Sequence, residues 1–360
     1  MRRKADASYM TIEEACKLLQ ISRPTLNSYR KKHRIKENKV KREIRLDKLD
    51  VLKKLYLPNK DTAPELIFTV TNTFDVDDCE IAKDVFDFRL IKEIDPFGAI
   101  CLLCRIRTRI RDQAAVSLLS DKRSTSAYLR DIGLFAELSR LDSRQVHFDD
   151  ATLLKPDRTP ADVILPLHII GYRGGEKAIL DVLYRQLAAQ GFSEDLRSSL
   201  GWVLGELADN AATHATGPCY VMLTSRETDQ KILVLTVGDI GGGIPKTIKS
   251  KAVYSGLSDM QALIWAFKSG VSSWDDKHER GKGLNDILGV AKGNRGNVRA
   301  ESNGRAVRFD FKSGSHCCSV GDAGTQSDGT RYCIVLTDSE FAATTKSEID
   351  QMLDKFVEEL

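Results

Sequence analysis

The stretch Leu204-Gly-Glu-Leu-Ala-Asp-Asn-Ala-Ala-Thr-His214 decides how the rest of the chain is read. Leu200, Val203, Leu204, Leu207 and Ala211 recur at helical spacing and mark one apolar stripe. Glu206, Asn210 and His214 stand four residues apart and share a different face. A carboxylate and a carboxamide one turn apart make a hard-oxygen site. The Asn side-chain oxygen suits Mg²⁺, which prefers oxygen ligands and keeps several waters. The Glu carboxylate can polarise a water or a hydroxyl as general base. E-x-x-x-N alone is a weak signal, because a solvated polar face gives the same pattern.

Three further elements follow in order. Lys231-Ile-Leu-Val-Leu-Thr-Val237 reads as a buried strand and runs into Gly238-Asp-Ile-Gly-Gly-Gly-Ile-Pro245. Arg280-Gly-Lys-Gly-Leu-Asn-Asp-Ile287 reads as a Gly-rich turn opening a helix, and Asp328-Gly-Thr-Arg-Tyr-Cys-Ile-Val-Leu336 as a Gly-Thr turn entering a strand. Without a Cβ at Gly241 and Gly243, the backbone of D-x-G-x-G can approach a flat ligand. Gly281-Lys-Gly283 offers bare N–H groups at a helix N-terminus, an anion site for phosphates, with Leu284 next in the turn. Lys282 either adds a charge there or is a solvated lysine.

Together these four elements resemble the GHKL ATPase superfamily of gyrase, heat-shock chaperone ATPases, histidine kinases and mismatch-repair ATPases, over roughly residues 160–340. The resemblance implies a Bergerat α/β sandwich that binds Mg·ATP. It assigns Mg²⁺ to Asn210, base catalysis to Glu206 and the adenine amino group to Asp239. Gly241, Gly243 and Thr330 then lie on the adenine side, with Gly281, Lys282, Gly283 and Leu284 on the phosphates. His214 is either a phosphate contact or a satisfied structural His. Residues 244–280 are expected as a lid over the nucleotide, with an apolar helix from Met260 to Phe267. Val163 to Ile170 reads as a strand, Gly175 to Gln190 as a helix, and Ser193 as the cap of the helix that carries Glu206. In that order the region is most similar to the anti-sigma-factor serine kinases, whose motif also places a His after the Asn.

Charge divides the chain unevenly. The formal net charge is +3, yet residues 1–60 hold 18 Lys/Arg against seven Asp/Glu, a net +11 that leaves −8 on the other 300 residues. A basic arm on an otherwise acidic protein points to a polyanion partner. Thr11-Ile-Glu-Glu14 is a capping-box pattern ahead of a short helix. Ser22 can cap a second helix with Pro24 in its first turn, Leu26 and Tyr29 inward, and Arg23, Thr25, Asn27, Arg30 and Lys31 outward. Lys36 to Arg45 alternates like a small hairpin, and Leu46 to Leu52 reads as a third helix. This segment resembles the excisionase and MerR-type winged helix. The resemblance implies duplex DNA as partner, with Arg23, Thr25 and Asn27 on bases or phosphates. Arg30 and Lys31 would lie on phosphates, and Lys39, Lys41 and Arg42 in the wing.

Between them, Leu57 to Pro64 reads as a linker. Strands are expected at Leu66 to Val70, Arg89 to Ile94 and Ala114 to Leu119, and helices at Cys79 to Phe86, Ala99 to Arg109 and Ser124 to Leu138. Alternating strands and helices imply parallel crossovers. The segment resembles STAS domains, in which a strand ends in an Asp-Ser pair and the Ser is phosphorylated by a GHKL kinase. Here that place holds Asp95-Pro96, and proline cannot accept a phosphoryl group. A scaffold, a dimer surface or an internal docking platform is the expected role, with a separate STAS-like protein as the expected substrate.

No apolar run reaches the ~18 residues a membrane span needs, and the basic N-terminus lacks the apolar core of a secretory leader. Eight scattered cysteines are expected to be reduced thiols of a cytoplasmic protein. Gly242-Gly-Ile-Pro-Lys-Thr247 fails as a P-loop, because Pro245 replaces the required glycine. None of the six His sits on a dimerisation helix ahead of the Asn210 site, which argues against a sensor kinase with its own phospho-His. The expected architecture is therefore multidomain. Residues 1–60 form a winged helix-turn-helix, 61–158 a STAS-like α/β domain and 159–360 a GHKL ATP-binding domain. The expected molecule is a homodimeric regulator, either a serine/threonine kinase or ATPase coupled to DNA binding, or an ATP sensor with little turnover.

Overall fold

The structure, a computed structural model, describes residues 9–19, 21–40, 43–47, 51, 66–68, 79–82, 84–120, 124–141, 144–149, 154–171, 174–214, 217–227, 230–271, 283–312, 317–323, 328–339 and 341–359. At the N-terminus, strand β1 (Tyr9–Thr11) leads into helix α1 (Ile12–Leu19), a tight connection and helix α2 (Arg23–Lys32). The capping box forms as expected: Thr11 N–H donates to Glu14 Oε2 at 2.7 Å, and Glu14 N–H donates to Thr11 Oγ1 at 3.1 Å. Strands β2 (Glu37–Val40) and β3 (Glu43–Asp47) make the antiparallel hairpin, and β3 also pairs with β1. The expected third helix does not begin at Leu46, because Leu46 and Asp47 are held in β3 by pairing with β1. Val51 is helical and fully buried. The other residues of that helix after Asp47, and the linker 57–64, lie outside the described residues.

The middle segment carries β4 (Leu66–Phe68), β5 (Glu80–Ala82), β6 (Val85–Asp87), β7 (Ile91–Ile94), helix α3 (Pro96–Arg111), β8 (Val116–Leu119), helices α4 (Ser124–Asp131) and α5 (Leu134–Ser139), and β9 (Val146–Phe148). Parallel pairing of β4 with β7, β6 with β8 and β8 with β9 agrees with the expected crossovers. Three expectations fail. The helix read over Cys79 to Phe86 is a hairpin of β5 and β6, turned at Asp84 with φ +63° and fixed by Asp84 N–H donating to Glu80 Oε1 at 2.7 Å. The strand read from Arg89 starts only at Ile91, because a 3₁₀ turn over Phe88–Leu90 is capped by Asp87, which also ion-pairs with Arg89 at 2.8 Å. The helix read over Ser124 to Leu138 is broken in two by Gly133, whose φ of +88° a right-handed helix cannot contain.

The remaining chain builds one antiparallel seven-stranded sheet, in the order β10 (Val163–Ile170), β11 (Cys219–Glu227), β12 (Lys231–Gly238), β16 (Thr330–Thr337), β13 (Asn297–Ser302), β14 (Arg305–Asp310) and β15 (Cys317–Asp322). Helices α6 (Lys177–Ala189), α7 (Glu194–His214), α10 (Gly283–Gly293) and α11 (Lys346–Glu358) cover one face. Short helices α8 (Ile244–Lys249) and α9 (Asp259–Trp265) lie between β12 and α10 in the chain. The alternation of side chains along a strand shows why the successive residues Ile232 to Leu235 are all apolar. Leu233, Leu235 and Val237 enter the core beneath α7 and α10, whereas Val234 enters a second core on the opposite face.

That second face is covered by α3. Ile100, Leu103 and Cys104 share one buried cluster with Tyr220, Met222, Val234 and Cys333 of the sheet. Residues on both sides of the expected boundary at 158/159 therefore contribute to one core. The N-terminal core likewise takes in Val85 and Leu119 from β6 and the end of β8. No helix among the described residues is long and apolar enough to cross a membrane.

Candidate functional site

Helix α7 presents the two residue types read from its sequence. Leu196, Leu200, Val203, Leu204, Leu207 and Ala211 are buried, which leaves Glu206 and Asn210 half-buried on an adjoining face and His214 exposed at the C-terminal end. Ser193 Oγ accepts from Leu196 N–H at 3.4 Å, as its position predicts. The Glu206 carboxylate lies against the first residue of α10, so close that a Cβ on Gly283 would stand 2.2 Å from Oε2. Any side chain at 283 would push this carboxylate aside. Burial raises the Glu206 pKa above the ordinary carboxylate value, and the negative charges of Asp209 and Asp286 add to the rise. Asn210 makes no side-chain hydrogen bond to a described residue. The Asn210 amide oxygen is thus available for a hard cation.

Asp239 stands where β12 ends, and it is 9% exposed. Its Oδ1 accepts from Gly241 N–H at 2.7 Å and from Thr330 N–H at 3.4 Å. Its Oδ2 carries no hydrogen bond to a described residue, so one acceptor at a nearly buried position remains available. Burial pushes the Asp239 pKa up to about 6, against the lowering effect of the Gly241 amide, the Arg331 charge and the Thr330 amide. Arg331 itself is fully buried and donates to Asp328 O at 3.0 Å.

Two loops are pressed together around Asp239. Gly329, at φ +91°, sits so close that a Cβ would stand 2.1 Å from the Asp239 carbonyl oxygen. A Cβ on Gly243 would meet Asn303 Oδ1 at 1.7 Å. Glycine at 243 and at 329 thus has a packing reason. Ser302 and Asn303, not singled out in the sequence, knit the loops. Ser302 Oγ accepts from Ile244 N–H at 2.9 Å and donates to Gly329 O at 2.9 Å, and Asn303 Nδ2 donates to Gly242 O at 3.2 Å. The sequence did hold a signal for them. Asn303-Gly304 is a two-residue loop with both φ positive, joining the paired strands β13 and β14.

The two clusters sit on neighbouring elements, since α7 packs on β12 and also on α10. Leu284 packs, partly buried, into the core beneath. Gly281 and Lys282 lie outside the described residues. Between β12 and α10, the stretch expected as a cover is docked as far as Val271: Leu263, Ile264 and Phe267 belong to the main core. The Phe267 ring lies 5.1 Å from that of Phe309, and Asn285 Nδ2 donates to Phe267 O at 2.9 Å. Residues 272–280 lie outside the described residues.

In the N-terminal module, Arg23 and Lys31 are exposed on α2, and Asn27 is half-buried. Thr25 joins the helix cap, its Oγ1 lying 2.8 Å from Ser22 Oγ. Arg30 turns toward the hairpin instead of outward and pairs with Glu37 at 3.1 Å. Lys39 lies on β2, while Lys41 and Arg42 are outside the described residues. Cys101 and Cys104 are buried in the core under α3, where burial pushes both thiols up, Cys104 to about 12.

Compared with known families, residues 9–53 match the model of the helix-turn-helix domain. No curated protein matches the chain. Among solved structures, the mycobacterial sensor histidine kinase MprB is similar at 21% identity over 39% of this chain and 73% of that one, with a TM-score of 0.22.

Proposed function

We propose that the chain is a DNA-binding regulator whose seven-stranded sheet carries an Mg·ATP site of the Bergerat type. The placement of Asp239 carries this proposal. A nearly buried carboxylate at a strand end, with one oxygen fixed by two amides and the other available, suits a single exocyclic amino group. Asn210 supports the metal end, one turn beyond Glu206 on α7. With Glu206, Asp209 and Asp286 so near one another, a free triphosphate would be repelled and a cation-bound one accepted. Backbone N–H groups at the start of α10 would receive the phosphates.

Bound Mg·ATP supplies an activated γ-phosphoryl group whose charge the metal partly neutralises. Glu206, its pKa raised by burial, then takes the proton of an attacking water or hydroxyl. A base in this position favours turnover, by a serine/threonine kinase or an ATPase, over sensing alone. Asp95 has become the N-cap of α3, accepting from Gly98 N–H at 2.8 Å with Pro96 next. No acceptor hydroxyl follows Asp95, so a separate STAS-like protein is the proposed phosphoryl acceptor. Purified protein incubated with γ-labelled ATP retains label with Mg²⁺ and loses it with a chelator, and Asn210→Ala weakens retention roughly tenfold or more, as loss of a metal-site group does. Retention that neither treatment changes overturns the site.

The helix-turn-helix domain supports duplex DNA as partner. Affinity for DNA falls steeply as salt rises, because bound lysines and arginines release counterions from phosphates. Arg23→Ala and Lys31→Ala each weaken binding and lower the salt slope by about one if their charge sits on a phosphate. Fluorescence anisotropy over a salt series checks this. Absence of binding at low salt removes DNA from the proposal.

A further inference from the structure

One guanidinium spans the two loops that hold Asp239. Arg111, the last residue of α3, donates from Nη1 to Ile240 O at 2.7 Å and from Nη2 to Asp328 Oδ2 at 2.6 Å. Ile240 follows Asp239 directly, and Asp328 stands two residues before Thr330. Those two loops supply the Gly241 and Thr330 amides that fix Asp239 Oδ1. We infer that Arg111 is a positioning residue of the proposed nucleotide site, reaching it from the helix on the opposite face of the sheet. This inference rests on the nucleotide reading of Asp239.

The approach is built into the packing. A Cβ on Gly238 would stand 2.4 Å from Ile100 Cγ2 and 3.1 Å from Cys104 Sγ, so α3 lies hard against the end of β12. Arginine suits the task because its planar fork holds two acceptors at once, which a lysine ammonium cannot do with the same geometry. The Arg111 side chain is 31% exposed and also touches Asp112 at 3.3 Å, so the fork works at the edge of the core.

The same end of α3 also faces a different part of the molecule. Arg105 and Arg109 pair with Glu80 at 3.3 and 2.8 Å, and Arg109 also reaches Asp84 at 3.7 Å. Next to Asp84, Val85 enters the core of the helix-turn-helix domain. The last two turns of α3 thus touch both the β5–β6 hairpin, next to the helix-turn-helix core, and the loops around Asp239.

The test uses the full chain with Arg111→Met, Arg111→Lys and Asp328→Asn. Amide exchange is followed at Gly241 and Thr330 without nucleotide, beside Mg·ATP affinity. We expect Arg111→Met to speed exchange at both amides and to weaken ATP roughly tenfold. Arg111→Lys should recover part of that loss, and Asp328→Asn should loosen Thr330 more than Gly241. Unchanged exchange at both amides in Arg111→Met and Asp328→Asn overturns the inference. So does faster exchange with unchanged ATP affinity, which would leave Arg111 merely structural. If the wild-type chain binds no ATP, the nucleotide reading falls and the positioning role with it, and the exchange data then report only whether the fork holds the loops. Should Arg111→Met fail to fold, Asp328→Asn and Arg111→Lys carry the same comparison.

Discussion

Glu206→Gln keeps Mg·ATP affinity near that of the wild type and slows phosphoryl transfer or hydrolysis by about a hundredfold or more, the scale on which a general base acts. The prediction follows from the position of the side chain. Glu206 lies against Gly283 at the start of α10, and its pKa is raised by burial and by Asp209 and Asp286. A raised pKa makes a better base at neutral pH than an ordinary carboxylate. Glutamine keeps the shape and removes the proton acceptor. It also removes a charge that burial disfavours, so the variant melts no lower than the wild type. Loss of turnover with affinity and melting temperature preserved separates a chemical role from a structural one. Full residual turnover excludes Glu206 as the base. A joint loss of affinity and stability assigns it to packing instead.

The elements carrying these residues were legible where the pattern was strong and local. The apolar stripe of α7 has helical period, and its polar face follows by subtraction. The apolar run Ile232 to Leu235 of β12 declares a strand covered on both sides. What covers the second side was also written in the chain, but less openly. From Phe97 to Cys104 every residue of α3 is buried, so this helix is apolar nearly all round, the mark of a helix inside a core. Its arginines suggested an amphipathic surface helix, yet three of them are spent on Glu80, Ile240 and Asp328. Those partners lie far away in sequence, and no local pattern announces them. The same holds for Ser302, whose hydroxyl matters only because three loops converge on it. Cys79 to Phe86 failed for a related reason. A helical spacing of apolar residues is overridden there by strand pairing and by a left-handed turn at Asp84.

Asp239 gives the sharpest test, because it links nucleotide affinity and stability to pH in opposite senses. Its folded-state pKa is about 6, against an ordinary value of 3.8. Between those values the unfolded chain holds fewer protons on this group than the folded one. Stability of the nucleotide-free protein therefore falls as pH rises through that window, by about 3 kcal/mol from this group, and is level above it. Ligand binding runs the other way. The adenine amino group needs an acceptor, and a protonated Asp239 presents a donor on one oxygen. Affinity for ATP should be constant above pH 7 and fall about tenfold per unit once pH drops below the folded pKa. Asp239→Asn should remove both dependences, raising the nucleotide-free melting temperature at neutral pH and flattening the affinity profile. Asp239→Ala should weaken ATP by about a hundredfold, the loss of a hydrogen bond to a charged group at a nearly buried position. Calorimetry and ATP titration from pH 5 to pH 8, on wild type and both variants, decide the matter. A flat wild-type affinity profile, or an Asp239→Ala protein that still binds ATP at full strength, removes Asp239 from the adenine site. Parallel movement of stability and affinity with pH would instead assign the titration to some other group.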